Sequence, residues 1–217
     1  MILTIDIGNT NIKTGLFDGA KLVNSWRMST SKERTADEMG IMMESFFYHI
    51  GHKPREVEGI IVSSVSPSIN YTVEHMCSLY FDLKPLFVGP GIKTGMNVRY
   101  DDPRALGADR ICNSVASYRL FGGPQINVDF GTATTFNVVD ENRVFRGGVI
   151  CPGLSTGLRA LGERCEQLPQ VHLASPKNAI GTNTESCMLS GSVLGTAVLL
   201  DGIAQRIEEE LGRPATL

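Results

Sequence analysis

The chain has 217 residues, a length that suits one large domain or two small ones. Hydrophobic residues make up 42% of the sequence and charged residues 20%, which is the ordinary balance of a globular protein with a packed core. The formal net charge of −3 excludes a strongly basic surface of the kind that binds nucleic acid or an anionic membrane.

The sequence shows no sign of a targeting segment or of a disulfide framework. Its first residues lack the basic region of a signal peptide and already include an acid at Asp6. We expect no apolar run of the length that crosses a membrane. The five cysteines are odd in number, widely spaced and without a C-x-x-C pair. This pattern indicates reduced thiols in a cytoplasmic protein rather than disulfides or a zinc site.

The first functional signal is a strand followed at once by a small polar turn. Apolar residues alternate over residues 2–7, and Gly8, Asn9 and Thr10 then lead into a second alternating run, which predicts a hairpin. Small turn residues let backbone N–H groups approach a phosphate closely. Asp6, at the end of the strand, is placed to hold a divalent cation directly or through water.

The next segments predict alternating helices and strands. Residues 35–51 carry methionines and aromatic residues at helical spacing, which indicates a helix packed on a core. Residues 57–65 predict a strand that ends in small polar residues, and residues 86–88 predict a short strand stopped by Gly-Pro-Gly. The predicted order of the first lobe is therefore a three-strand meander followed by helix, strand, helix and strand.

An acid and an arginine lie side by side in a helical pattern near the middle of the chain. The sequence Gly107-Ala108-Asp109-Arg110 opens this pattern, which continues as far as residue 118. Neighbouring residues on a helix point about 100° apart, so the acid and the arginine need not pair with each other. Taken alone, the motif is also compatible with an exposed charged turn.

The strand-and-turn pattern recurs in the second half of the chain. In residues 128–135 an aspartate, a glycine and a small polar residue occupy the matching positions, at Asp129, Gly131 and Thr132. Each copy is followed by two further apolar runs joined by a turn. Two copies of a three-strand meander, each opened by an acid and a phosphate-sized turn, predict a duplicated fold with a nucleotide between the copies.

The boundary between the copies is predicted at residues 121–124, whose Phe-Gly-Gly-Pro sequence breaks the preceding helix. This gives an N-terminal lobe of residues 1–121 and a C-terminal lobe of residues 122–217. A long helix is predicted from residue 186 to residue 211, and two glycines four residues apart indicate that it packs tightly, within the chain or across a dimer. The last three residues are typical of a strand that has just begun.

Four motifs together resemble the type III pantothenate kinases, a family of the acetate-kinase, sugar-kinase, Hsp70 and actin superfamily. They are Asp6-Ile-Gly-Asn-Thr10, Gly107-Ala-Asp-Arg110, Asp129-Phe-Gly-Thr-Ala-Thr-Thr135, and Gly147-Gly148 with Pro152-Gly153. The resemblance spans the whole chain, and the second motif combined with the third is its most specific part. It implies an α/β fold of two RNase H-like, actin-like ATPase lobes, with duplicated mixed sheets and an ATP cleft between the lobes.

The resemblance also implies an activity. The γ-phosphate of ATP would pass to the terminal hydroxyl of pantothenate, giving 4′-phosphopantothenate in the first step of coenzyme A biosynthesis. Asp109 would accept the proton of that hydroxyl. The residues that would bind the ATP phosphates are Asp6, Ile7, Gly8, Asn9, Thr10, Asn11, Ile12, Lys13 and Thr132. The residues that would line the substrate site are Tyr100, Gly107, Ala108, Asp109, Arg110 and Thr184.

Cofactors and partners follow from the same resemblance. Asp6 would hold Mg²⁺ together with ATP, and Asp129 would lie near a monovalent cation, K⁺ or NH₄⁺. Family members are cytoplasmic homodimers, and we expect no nucleic acid or membrane partner. The family pattern continues beyond Leu217 with a strand, a Gly-Gly turn and a closing helix, so we expect the second lobe to lack its final strand and helix.

Two other functions are compatible with the sequence. The first is a different small-molecule kinase of the superfamily, acting on a sugar or a carboxylate, against which the Gly-Ala-Asp-Arg motif and the lack of a long inserted domain count. The second is a non-catalytic nucleotide-binding regulator of the same fold, against which the intact Asp109 counts. An ADP-release assay with and without pantothenate separates these functions from a pantothenate kinase.

Overall fold

The computed structural model describes residues 1–217, and contacts between them divide the chain into two compact units. The first unit holds Met1–Lys93 and Asp102–Cys112, and the second holds Thr94–Asp101 and Asn113–Leu217. Each unit contains a β-sheet of its own. The division of the chain into lobes at residue 121 stays a prediction.

The first unit is built on a five-stranded mixed sheet. Its strands are β1 (Ile2–Ile7), β2 (Asn11–Asp18), β3 (Lys21–Ser29), β4 (Gly59–Ser64) and β5 (Leu86–Phe87). Their order is β3-β2-β1-β4-β5, in which β1, β2 and β3 form an antiparallel meander and β4 and β5 run parallel to their neighbours. The meander and the two later strands predicted for the first lobe are confirmed.

Alternation along β1 decides which face of this sheet is buried. Leu3, Ile5 and Ile7 belong to a single apolar cluster that also includes residues of helices α1 (Ala36–His49) and α2 (Asn70–Phe81). Burying side chains of this size contributes about 1.5–3 kcal/mol each. Because successive side chains on a strand point to opposite faces, Thr4 and Asp6 lie on the other face of the sheet.

Helix α1 lies where the sequence predicts a helix, and a capping box fixes its start. Thr35 Oγ1 accepts a hydrogen bond from Glu38 N–H at 3.2 Å, and the Glu38 carboxylate accepts one from Thr35 N–H at 2.8 Å. Two N–H groups that no helical carbonyl reaches are thereby satisfied. On the buried face, the ring of Phe47 lies 5.7 Å from that of Trp26 and 5.6 Å from that of Phe81.

The second unit has a four-stranded sheet, reached through helix α3 (Ala108–Phe121), whose last nine residues belong to this unit. The strands are β6 (Asn97–Val98), β7 (Gln125–Phe130), β8 (Ala133–Val139) and β9 (Val144–Pro152), in the order β6-β9-β8-β7. Helices α4 (Leu154–Arg164) and α5 (Thr184–Leu211) follow the sheet. Strand β6 was not predicted, because two residues are too few to show a period of two.

The two units share a strand plan, which confirms the predicted duplication. In each unit an antiparallel meander carries an aspartate as the penultimate residue of its first strand, Asp6 in β1 and Asp129 in β7. In the first unit β4 runs parallel beside β1. In the second unit Thr216 makes a parallel bridge to Gln125 of β7, so the last residues do enter the sheet as predicted.

Helix α5 corrects one expectation drawn from the sequence. It is 28 residues long, mostly exposed, and apolar enough by length and composition to cross a membrane. The expectation that no such segment exists was wrong because alanine, glycine and serine lie among the leucines and valines, so that no uninterrupted apolar run is visible. One such helix is weak evidence for a membrane segment, since a helix that packs against protein has a similar composition.

Candidate active site

The end of strand β1 places Asp6 between two neighbouring strands. Asp6 is paired in register with Lys13 of β2 and with Ser63 of β4. Residues directly opposite each other point to the same face of a sheet, so the three side chains lie side by side. The Ser63 hydroxyl donates a hydrogen bond to Asp6 Oδ1 at 3.1 Å. An anion, a cation and a hydroxyl therefore share this end of the sheet.

The turn after β1 is held together by the backbone and by one threonine. Gly8 N–H donates to the Asn11 carbonyl at 3.0 Å, and the Thr30 hydroxyl donates to the Gly8 carbonyl at 2.7 Å. Asn9 and Thr10 lie exposed at the tip. An amide and a hydroxyl on a rigid, small turn are the groups that an anion such as phosphate requires.

Three further residues predicted to bind phosphate lie beside this turn. The side chains of Ile7 and Ile12 are buried in the core of the first unit, so only their backbone groups can face a ligand. Lys13 is exposed on β2. Its ammonium group is therefore the one positive side-chain charge in the predicted phosphate-binding segment.

The turn after β7 is braced by the start of helix α4. Gly131 N–H donates to the Ala133 carbonyl at 3.1 Å, in a connection of two residues where the first unit has three. Gly153 N–H and the Thr156 hydroxyl both donate to the Thr132 carbonyl, at 3.1 and 2.8 Å. These bonds fix the backbone of Thr132, whose side chain lies exposed at the tip of the turn.

Asp129 is held by helix α3. Asn113 Nδ2 donates a hydrogen bond to Asp129 Oδ2 at 3.3 Å. On the same face of β7, the Gln125 side-chain amide donates to the Ser114 carbonyl at 3.2 Å and to Ser117 Oγ at 2.9 Å. Strand β7 therefore turns a polar face towards α3, with the acid at the end that leads into the turn.

Asp109 lies in the first turn of α3, where the helix dipole favours a negative charge. Its Oδ1 accepts a hydrogen bond from Arg110 N–H at 2.8 Å. The Gly107 carbonyl accepts from Ile111 N–H at 3.3 Å, so the helical hydrogen bonds begin at this glycine. A methyl group on Gly107 would overlap the Asp109 carboxylate, and the glycine of the motif therefore makes room for the acid.

Cys112, one turn after Asp109, lies close to the carboxylates of Asp6 and Asp109. Burial raises the pKa of the Cys112 thiol, a hydrogen bond with Ser63 opposes this shift, and the carboxylates of Asp6 and Asp109 add to it. The thiol is therefore protonated at neutral pH. All five cysteines are free thiols, and in the core of the first unit burial raises the pKa of Cys77 to about 12.

Sequence reasoning did not single out Ser63 or Cys112. A signal for Ser63 existed, because the predicted strand of residues 57–65 ends in small polar residues, but nothing local showed that its register would place Ser63 opposite Asp6. No pattern distinguished Cys112 from the other cysteines. Both residues take their place from contacts between segments that are far apart in the chain.

The remaining predicted substrate residues lie elsewhere in the second unit. Tyr100 follows β6, and its ring packs on that of Phe145 in β9, with 6.2 Å between centroids. Thr184 is the first residue of α5, where Asn183 Oδ1 accepts from Ser186 N–H at 2.8 Å and caps the helix. The first unit thus brings the Asp6 turn and the Gly107–Arg110 motif together, whereas a common site that includes Tyr100 and Thr184 stays a prediction.

Duplicated mixed sheets with an acid and a glycine turn at the end of each first strand define the class, an actin-like ATPase fold shared with sugar kinases. A Campylobacter jejuni structure assigned to the Baf family of transcriptional activators matches with a TM-score of 0.56 at 16% identity, over 93% of this chain and 79% of that one. A structure from Sinorhizobium meliloti, titled as a 2-dehydro-3-deoxygalactonokinase, matches with a TM-score of 0.55 at 10% identity, over 91% and 79%. At these identities the likeness concerns the fold alone.

The chain belongs to the type III pantothenate kinase family, whose model matches residues 2–206. A type III pantothenate kinase from an Exiguobacterium species is 45% identical over 217 residues, which is all of this chain and 85% of that protein. One from Halalkalibacterium halodurans is 44% identical over 210 residues, covering 97% of this chain and 83% of that protein. The resemblance found in the motifs is thereby confirmed.

The contact between Gly153 and the second turn gives a first prediction. A methyl group on Gly153, the residue before helix α4, would overlap the carbonyl oxygens of Gly131 and Thr132, whereas one on Gly157, inside α4, would meet nothing within 4 Å. We expect Gly153→Ala to destabilise the protein by about 1–3 kcal/mol through overpacking. Gly157→Ala should stabilise it by up to about 1 kcal/mol, as in an open helix position. Urea unfolding measures both, and equal midpoints for the two variants would contradict the bracing role.

Proposed function

We propose that this chain catalyses the ATP-dependent phosphorylation of pantothenate to 4′-phosphopantothenate, the first step of coenzyme A biosynthesis. The observation that carries the proposal is the Gly107–Arg110 motif at the start of α3, in the same unit as the Asp6 turn, in a chain that belongs to this family over nearly its full length. Phosphoryl transfer requires neutralised phosphates, an aligned hydroxyl and an acceptor for its proton. The chain has side chains for each of these tasks.

The Asp6 turn binds the phosphates of ATP in this proposal. Asn9 and Thr10 offer amide and hydroxyl groups on a turn that the Gly8 N–H closes, and the exposed Lys13 adds positive charge. No group of three or more His, Cys, Asp or Glu side chains forms a metal cage in residues 1–217. This fits Mg²⁺, which proteins usually hold through one or two carboxylates together with substrate phosphates. Bound beside Asp6, Mg²⁺ supplies charge neutralisation for the phosphates.

Asp109 is the proposed proton acceptor, and its surroundings suit that role. It lies in the first turn of α3, where the helix dipole interacts favourably with a carboxylate, and a carboxylate oxygen can accept a proton. The neighbouring Arg110 provides a guanidinium that can pair with the carboxylate of pantothenate. Tyr100 and Thr184 complete the proposed substrate site, with an aromatic ring for the apolar part of pantothenate and a hydroxyl for its polar groups.

Asp109→Asn tests the acceptor. Asparagine keeps the size and the helix-capping ability of aspartate but cannot accept the proton. We expect kcat to fall by about 10²–10⁴-fold, the usual contribution of a general base, while the Kd for ATP changes little. Coupled ADP release with saturating pantothenate measures kcat, and direct titration measures ATP binding. Turnover close to that of the unaltered protein would show that Asp109 only caps the helix.

We propose that a monovalent cation, K⁺ or NH₄⁺, binds at Asp129 and neutralises its charge. The acid ends a strand whose polar face meets α3, and the oxygens of a carboxylate and of nearby carbonyls suit such an ion. An acid next to a phosphate turn would otherwise repel ATP. This role also agrees with the Asn113 contact, because that amide donates to one carboxylate oxygen and leaves lone pairs on the other.

Exchange of the monovalent cation tests this role. We expect strong ADP release in potassium or ammonium chloride and weak release in sodium chloride at equal ionic strength, because the larger ions lose their hydration shells more easily. For Asp129→Asn we expect most of the difference in the rate of ADP release between the salts to disappear. The control is Asp140→Asn in the β8–β9 turn, whose carboxylate accepts hydrogen bonds from Asn142 and Val144 N–H groups. Equal rates of the unaltered protein in all three salts would remove the cation role.

The exposed face of helix α5 is proposed as the interface of a homodimer. Gly191, Leu194, Gly195 and Val198 recur at the spacing of one helix face, Val198 is 71% exposed, and a methyl group on either glycine would meet nothing. This favours packing across a dimer over packing within the chain, the two alternatives left by the sequence. Symmetric dimers are the commonest oligomers of enzymes, and small residues allow two such helices to approach closely.

Val198→Glu tests the dimer. A buried, unpaired carboxylate at a symmetric interface faces its own copy, so we expect the protein to change from dimer to monomer. Light scattering coupled to gel filtration measures the mass. Leu79→Glu, an equally drastic change at a 57% exposed position of α2, is the control and should remain dimeric. A monomeric unaltered protein, or a dimeric Val198→Glu variant, would contradict the proposed interface.

A substrate panel separates this proposal from the other two functions. Pantothenate-dependent ADP release supports the pantothenate kinase, release with a sugar or a carboxylate instead supports another kinase of the fold, and nucleotide binding without any release supports a regulator.

We also propose a cytoplasmic location, because all five cysteines are free thiols and disulfides persist mainly in oxidising compartments. Recovery of the protein in a membrane or secreted fraction would contradict this location.

A further inference from the structure

Ser63 contacts Asp6 but has no part in the phosphoryl transfer proposed above. Parallel pairing of β1 and β4 places the two residues directly opposite each other, and the Ser63 hydroxyl donates to Asp6 Oδ1 at 3.1 Å. Ser63 is only 7% exposed. A serine hydroxyl has one proton to donate, so the proton that it gives to Asp6 is given to no other group.

The hydrogen bond from Ser63 restricts how the Asp6 carboxylate can rotate. The terminal torsion of an aspartate is broad when nothing holds it. A hydrogen bond to Oδ1 fixes the plane of the carboxylate and leaves the lone pairs of Oδ2 for a ligand. The register of the strands fixes where the acid lies, and the serine then fixes which way its oxygens point.

We propose that Ser63 is a positioning residue of the phosphate site, which orients the Asp6 carboxylate towards the divalent cation of bound ATP. This inference rests on the proposed function, because it assigns Asp6 to Mg²⁺. Residues that orient a metal-binding side chain typically change metal affinity by about 10–100-fold when they are removed.

The experiment measures the binding of a fluorescent ATP analogue as MgCl₂ is added, so its readout does not depend on turnover. For Ser63→Ala we expect the Mg²⁺ concentration at half-maximal binding to rise by about 10–100-fold. Ser63→Thr keeps the hydroxyl and should restore most of the loss. The matched control is Ser64→Ala, the next residue on β4, whose hydroxyl donates to Asn70 Oδ1 at 2.6 Å instead.

A second pair of variants tests the hydroxyl without leaving a space beside Asp6. Ser63→Val and Ser63→Thr have side chains of nearly the same shape, and only the threonine keeps the hydroxyl. We expect Ser63→Val to need about 10–100-fold more Mg²⁺ than Ser63→Thr. This comparison also decides the question if Ser63→Ala does not fold.

The result that overturns the inference is a Mg²⁺ dependence of Ser63→Ala that equals that of Ser64→Ala, or, where Ser63→Ala does not fold, equal Mg²⁺ dependence of Ser63→Val and Ser63→Thr. Failure of the proposed function looks different. In that case the unaltered protein shows no pantothenate-dependent ADP release, whereas the Mg²⁺ titration of nucleotide binding still reports on Ser63.

Discussion

The candidate site of the first unit depends on the register of β1 between β2 and β4. Leu3, Ile5 and Ile7 point into the core, so Asp6 is held on the opposite face at the end of the sheet. A slip by one residue would bury the acid and expose the apolar side chains, and both changes are unfavourable. Core packing therefore fixes the position of the acid, and Ser63 has only to set the direction of its carboxylate.

In the second unit, hydrogen bonds between strand β7 and helix α3 help to position Asp129. Gln125, Asn127 and Asp129 alternate along β7 and share the face that meets α3, so the face that carries the acid is polar along the whole strand. Hydrogen bonds from Gln125 to Ser114 and Ser117 satisfy part of this buried polar surface, while Asn127 Oδ1 is buried without a hydrogen-bond partner. Because buried polar groups stabilise a fold only when they are paired, the hydrogen bonds to α3 stabilise this face of β7.

The sequence was sufficient for the features that local patterns encode. Alternation and turn residues predicted both meanders, helix α1 and the start of a strand near Thr216, and the motifs identified the family. The two-residue strand β6 shows no period, and the contacts of Ser63 and Cys112 arise from strand register and helix placement across long stretches of chain. The exposure of α5 was also hidden, since an amphipathic pattern does not tell whether its outer face meets solvent or a second copy.

The first two turns of α3 explain why a four-residue motif is so informative in this chain. Asp109, Cys112 and Asn113 follow at spacings of three and four residues, which places them on one side of the helix. Cys112 lies near Ser63 and Asp6, which like it belong to the first unit. Asn113 donates a hydrogen bond to Asp129, and both of these residues belong to the second unit. A side chain on a packed helix is held more rigidly than one on a loop. The glycine of the motif admits the acid, and because the helix begins there, the acid is held on a rigid element rather than on a loop.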